Sequence, residues 1–138
     1  MVSDKLSGAA PKRPRLLLVE DDAGVRRSLQ LLLQAKGFDV RAYATGAALL
    51  ADPSSINARC IVADYSMDNI DGLEVLSRLR TRGWVGPAVL ITAYSSPTLQ
   101  ERACAEGFNV VLEKPFRDHT LVETINRLSE QEPEDERP

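Results

Sequence analysis

The chain is poor in cysteine, nearly without histidine and free of long hydrophobic runs, and each shortage closes off a class of function. Cys60 and Cys104 are the only cysteines in 138 residues. With no CxxC and no neighbouring histidine, they offer neither a metal knuckle nor a redox pair. Both are expected to be reduced, mostly packed thiols. The lone histidine, His119, falls in the first turn of an apparent helix and reads as a solvated side chain. No apolar stretch approaches the roughly 18 residues of a membrane span. The leader MVSDKLSGAAPKRPR also lacks the apolar centre of a secretory signal, which predicts a cytoplasmic protein with no membrane contact. Strong charge of one sign is missing too, since the net is −3. It is unevenly spread: residues 1–15 carry four cations against Asp4, and residues 129–138 carry five carboxylates against Arg137. The ends therefore read as a flexible basic arm over 1–14 and a flexible acidic tail or linker over 129–138. Four cations on an otherwise acidic chain are a weak electrostatic footprint, so no direct nucleic-acid binding is expected.

What remains, residues 15–128, is enough for one domain with a core that needs no disulfide or structural metal. Apolar runs alternate there with helical periodicity. RLLLVE (15–20) is a short continuous apolar run, as expected of a strand covered on both faces. In the helical segment that follows, Val25, Leu29, Leu32 and Leu33 fall on one face, and Gly37 stands where a C-cap belongs. FDVRAY alternates like a strand nearer the sheet edge, and TGAALLAD is a short helix stopped by Pro53. RCIVADY, PAVLITAY and NVVLE supply three more strands, each followed by a helical segment, the last with Asp118 as its predicted N-cap. Strict βα alternation with short connections predicts a parallel sheet with helices on both faces, and ligands bind such sheets outside the carboxyl ends of the strands.

The strand ends carry the chemistry. Why should the apolar run in IVADYSMDNIDG lead into Asp64, Asp68 and Asp71, when a buried anion is costly unless paired, hydrogen-bonded or bound to metal? If the first and third strands are neighbours, Glu20, Asp21 and Asp64 converge in one crevice, where they cannot all ionise unaided. A hard divalent cation resolves the conflict, and Mg2+ suits a few carboxylates plus waters and a phosphate. Lys114 ends the fifth strand and puts a cation at the other side of the crevice, and Thr92 offers a hydroxyl between them. Carboxylates, a hydroxyl and a lysine make an apparatus for phosphoryl transfer with a carboxylate nucleophile.

In LLLVEDD, IVADYSMDNIDG, VLITAY and LEKPF the chain resembles the response regulator receiver domain of two-component signalling, in its single-domain, chemotaxis-regulator-like form. The likeness covers residues 15–128, with intervals of 43, 28 and 22 residues from Asp21 to Asp64, Thr92 and Lys114. It implies a flavodoxin-like α/β fold, a five-stranded parallel sheet in the order 2-1-3-4-5 with helices on both faces. It implies that Asp64 takes a phosphoryl group from a sensor histidine kinase or histidine phosphotransfer protein. Asp21, Asp64 and the backbone carbonyl of Ser66 would ligate Mg2+, and Glu20 would reach it through water. Thr92 and Lys114 would each bind a phosphoryl oxygen, and the Lys114–Pro115 peptide would be cis. The resulting phosphoprotein would change its binding surface for a downstream protein target, as a monomer or a phosphorylation-dependent dimer. Its own chemistry would be limited to accepting and slowly hydrolysing the group, so it is a signalling domain and not an enzyme in the ordinary sense. Two positions depart from the family pattern: Asp68 stands where Pro is usual, and Val111 where an aromatic residue couples to the threonine.

Blander readings apply to several residues. Asp22 suits a helix N-terminus, Asp71-Gly72 a turn into the third helix, Asp68 a surface turn, and Trp84 the edge of the core. Tyr94, two beyond Thr92, is expected to substitute for the missing aromatic and to lie over the crevice, or else to point into solvent; Ser66, two beyond Asp64, is small. Rival functions are a pseudo-receiver docking module and a Mg2+-dependent phosphatase of the haloacid dehalogenase type. The latter needs DxD where this first strand ends in Glu20-Asp21-Asp22. Only ten residues follow position 128, which leaves output by protein contact or, in a longer regulator, a linker from Ser129.

Overall fold

The computed structural model describes residues 13–130. In chain order these form β1 (Arg15–Val19), α1 (Ala23–Ala35), β2 (Asp39–Tyr43), α2 (Gly46–Ala51), a 3-10 helix (Pro53–Asn57), β3 (Cys60–Asp64), α3 (Gly72–Thr81), β4 (Ala88–Thr92), α4 (Pro97–Glu106), β5 (Val110–Glu113) and α5 (Asp118–Glu130). The strands make one sheet, order β2-β1-β3-β4-β5, and every neighbouring pair is parallel. The parallel sheet is the one expected from the βα alternation, and its order is that of the flavodoxin-like fold which the family resemblance implies. No helix among the described residues is long and apolar enough to cross a membrane.

Both faces of the sheet are buried because alternate residues of a strand point to opposite sides. Leu17, Val19, Ile61, Ala63, Ala88 and Leu90 pack with Leu73, Leu76 and Leu79 of α3 and with Leu49 of α2. Leu16, Leu18, Cys60, Val62, Val89 and Ile91 pack on the other face with Leu29 and Leu33 of α1 and with Leu121, Ile125 and Leu128 of α5. The alternation also places the site. One step beyond Leu16 and Leu18 stands Glu20, beyond Cys60 and Val62 stands Asp64, and beyond Val110 and Leu112 stands Lys114. All three leave the sheet toward the α1 and α5 side.

Short polar devices fix the helix starts beside the strand ends. Asp22 caps α1, its side chain accepting from the amide of Val25, and Asp71 caps α3 by accepting from Glu74. Those orphan amides would otherwise lack a partner. Gly37 follows α1 at φ +101°, the left-handed conformation that a side chain disfavours. Gly72 is required for packing: a Cβ there would lie 2.6 Å from the carbonyl oxygen of Asp64. Trp84 is buried, and its indole N–H donates to the Ala58 carbonyl at 2.8 Å. Arg80 reaches the carbonyls of Trp84, Gly86 and Gly107, tying the α3–β4 connection to the end of α4.

Several expectations need correction. Pro53 does stop α2, but it also opens the 3-10 helix, with Asp52 between them accepting from the Ser54 amide. Proline is well suited to that first position, where no amide donor is needed. Asp118 is the first residue of α5 and lies within its first turn instead of capping it. The same helix continues through Ser129 and Glu130, which composition alone assigned to the acidic tail. Cys60 is buried and its thiol is pushed up to about 12 by desolvation, but Cys104 is exposed, on the outer side of α4. The basic arm up to residue 12 and the acidic tail from 131 lie outside the described residues.

Candidate functional site

At the carboxyl ends of β1, β3 and β5 the crevice assembles around one ammonium group. Lys114 Nζ donates to Glu20 Oε1 and to Asp64 Oδ2, each at 3.2 Å. Thus the cation that Asp64 meets inside the chain is Lys114, which bridges two carboxylates instead of standing apart on the far wall. Both acids are deeply buried, at 0% exposure for Glu20 and 4% for Asp64. Asp21 is exposed at the rim, yet Glu20, Asp21 and Asp64 each place a carboxylate oxygen within 4.8 Å of the others. The predicted convergence of these three acids is therefore present.

Each oxygen of these two buried carboxylates accepts one hydrogen bond. Glu20 Oε2 accepts from the Asp22 amide at 3.1 Å, and Asp64 Oδ1 accepts from the Ser66 amide at 3.2 Å. Burial pushes the Glu20 carboxyl up to about 7; the Asp22 amide opposes that rise and the charge of Asp64 adds to it. Partial burial works against the charge on Lys114, but its bonds to Asp64 and Glu20 and their negative charges outweigh it. The ammonium is held above its usual value.

Thr92 is buried at the end of β4, and its hydroxyl is engaged with the following loop. It donates to the Tyr94 carbonyl at 3.2 Å and accepts from the Tyr94 amide at 3.3 Å. Tyr94 matters here through its backbone. The residue is 85% exposed, so the ring does not lie over the crevice and the expected shielding is absent; the solvent-facing alternative is what the structure holds. Val111 pairs with Leu90 across β4 and β5 and packs against the α3 and α4 face. Ser66 and Asp68 are exposed on the loop after β3, and Asn69 in that loop has a positive φ of 68°. His119 is exposed, as expected. The Lys114–Pro115 peptide is cis.

Sequence reading missed two supports of this site. Arg26 donates to the Glu20 carbonyl at 3.0 Å from the first turn of α1, a contact that its position four residues after the Asp22 cap could have suggested. Gly72 brings α3 against the backbone of Asp64, and only the adjacency of Asp71-Gly72 to that loop hinted at it.

Known proteins share both pattern and fold. The family model for the response regulator receiver domain matches residues 16–126. Similar chains include the transcriptional regulatory protein TdiR of Thauera aromatica, 32% identical over 80% of this chain and 49% of its own length. FixJ of Bradyrhizobium diazoefficiens, also a transcriptional regulatory protein, is 32% identical over 80% of this chain and 54% of its own. The chain thus spans about half the length of these relatives. Among solved structures, the chemotaxis protein CheY4 of Vibrio cholerae superimposes with a TM-score of 0.79 at 27% identity, covering 84% of this chain and 98% of that one. A beryllofluoride-activated DrrB receiver domain shares the fold with a TM-score of 0.79 at 21% identity, covering 86% and 99%. By its matched sequence, its sheet order and its fold, the chain belongs to the response regulator receiver domain family of two-component signalling.

Proposed function

We propose that this domain is a phosphoacceptor switch in which Asp64 takes a phosphoryl group from the phosphohistidine of a sensor kinase or phosphotransfer protein. The observation that carries this reading is the Lys114 bridge, which holds a buried carboxylate and a fixed cation together at the mouth of a parallel sheet. One oxygen of Asp64 attacks the phosphorus as the P–N bond to the donor imidazole breaks. The electron pair stays on that nitrogen, which takes a proton from solvent, and Asp64 becomes an acyl phosphate. Lys114 then pairs with a phosphoryl oxygen, and Thr92 releases the Tyr94 carbonyl to donate to another. That exchange frees the backbone of the loop after β4 and alters the surface beside α4, where a downstream protein target would sense the change. Attack by water on the phosphorus releases phosphate and restores the carboxylate.

The donor set fits a magnesium ion. Every group offered is a hard oxygen, from Glu20, Asp21 and Asp64, with the carbonyl of Ser66 on the adjoining loop. Asp21, Asp64 and Ser66 would bind directly and Glu20 through water; when bound, Mg2+ neutralises charge on the transferred group. Donor kinase, downstream target and any phosphorylation-dependent dimer are assigned on the same footing. Residues 1–14 would serve as an arm and residues 129–138, the first two of which close α5, as a tail or linker to this unit.

Intact mass after treatment with acetyl phosphate and Mg2+ tests the proposal. Wild type should gain one phosphoryl group, and Asp64→Asn should gain none while melting cooperatively. A wild type that stays unmodified supports a pseudo-receiver, and continuous turnover of a phosphomonoester without a stable adduct supports a phosphatase.

A further inference from the structure

A cleft at the opposite pole from the acidic crevice is lined by arginines. It occupies about 970 Å³ between the amino-terminal ends of β1, β2 and β3. Arg13, Arg15 and Arg59 supply its cations, and Gln34 and Asn57 add side-chain amides. Glu20 lies five residue steps beyond Arg15, about 16 Å of strand, so this pole is distinct from the phosphoryl site.

Its charge is unbalanced in a specific way. Among the described residues the lining holds one acid, Asp39, and that carboxylate is already engaged by Arg15 at 3.4 Å and by Arg41 at 3.3 Å. Arg15 is further committed to the Ser54 carbonyl at 3.1 Å. Among the described residues Arg13 makes one side-chain hydrogen bond, to the Gln34 carbonyl at 3.2 Å, and none of them takes up its remaining donors. Arg59 is exposed, and its backbone amide is fixed to the Arg15 carbonyl at 2.8 Å, which places the residue on the rim beside β1. Among the described residues, three guanidinium groups against one matched carboxylate leave a surplus of two positive charges in a concave site. On a chain of net charge −3 such a concentration is not a general property of the surface.

We propose that this cleft is a second anion site, which takes a phosphorylated small molecule with its phosphates on Arg13 and Arg59. A planar guanidinium presents paired donors that match phosphate oxygens, and two such groups lining one cleft favour a ligand with more than one phosphate. The volume is at the upper end of the range for small-molecule sites. It admits an organic body, which Gln34 and Asn57 can hydrogen-bond as both donors and acceptors. Nucleoside triphosphates and inorganic polyphosphates share this chemistry.

Amide chemical shifts of the full chain, recorded in EDTA during titration with tripolyphosphate, ATP or a tetraglutamate peptide, test the assignment. Tripolyphosphate and ATP should move the resonances of residues 13, 15, 34, 57 and 59. Arg59→Gln and Arg13→Gln should each weaken that binding by roughly tenfold, the loss of one charge-assisted contact. Both substitutions are at exposed positions and leave Asp39 paired, and an unchanged melting temperature verifies the fold. Tighter binding of ATP identifies a nucleotide as the source, and equal binding identifies the phosphates alone. The proposal is overturned if neither phosphate probe moves these resonances, if shifts are confined to residues 20, 64 and 114, or if tetraglutamate binds as well as tripolyphosphate.

Discussion

Glu20→Gln should stabilise the metal-free protein at pH 8 and lose that advantage in acid. Glu20 is fully buried, and its carboxyl is pushed up to about 7, chiefly by desolvation and further by the charge of Asp64, from an ordinary value of 4.5. For an acid whose folded value is raised, the folded chain holds the proton more tightly than the unfolded chain. Its ionisation therefore costs stability, a cost absent below the unfolded value and complete above the folded one. A rise from 4.5 to about 7 corresponds to about 3 kcal/mol at pH 8. Glutamine removes that cost but can keep only one of two contacts, since Oε1 accepts from Lys114 and Oε2 from the Asp22 amide. Losing one acceptor costs about 1 to 2 kcal/mol, which leaves a net gain of roughly 1 to 2 kcal/mol. Urea denaturation in EDTA between pH 4.5 and 8 measures it. With a slope near 2 kcal/mol/M the variant's midpoint should lie about 0.5 to 1 M above wild type at pH 8 and at or below it near pH 4.5. A midpoint difference that stays constant across this range would refute the reasoning, because it would show that Glu20 titrates alike in both states.

Lys114→Met should destabilise the metal-free protein by about 3 kcal/mol, because Glu20 and Asp64 lose the cation they share; thermal melts should show Mg2+ restoring a larger share of stability to this variant than to wild type. Gly72→Ala should cost about 1 to 3 kcal/mol, since the added Cβ falls 2.6 Å from the Asp64 carbonyl oxygen and must displace either α3 or the loop after β3; it should also slow acceptance of phosphate from acetyl phosphate, read as the rate of mass gain. The Asp52 carboxyl is held down at about 2, first by the hydroxyl of Tyr43 and then by Ser54. Its contribution is present above the unfolded value of 3.8 and is lost as pH falls through about 2, so the melting difference between wild type and Asp52→Asn should shrink over that window.

Much of the site was legible because burial makes charged residues conspicuous. Asp64 follows four fully buried apolar positions, and Glu20 follows Leu16 to Val19, so each carboxylate stands out where an apolar pattern stops. Asp22 and Asp71 were legible as helix starts because capping depends on residue type and local spacing alone. What sequence did not reveal depends on contacts between distant segments. Lys114 meets Glu20 and Asp64 across 94 and 50 residues, and nothing local says that it bridges both. Arg80, a charged residue in an amphipathic helix, gave no sign that it would bind three carbonyls around Trp84. The orientation of Tyr94 was open because an aromatic ring is compatible with either side of a loop, and here only its backbone is tied to Thr92.

The most direct test of the central claim is to locate the phosphoryl group chemically. Wild type treated with acetyl phosphate and Mg2+ should be reduced with borohydride, which converts an aspartyl phosphate to homoserine, and then mapped by peptide mass spectrometry. The account predicts homoserine at position 64 and nowhere else. Homoserine at 21, 68 or 71, or none at 64 in a protein that has gained phosphate, would contradict it.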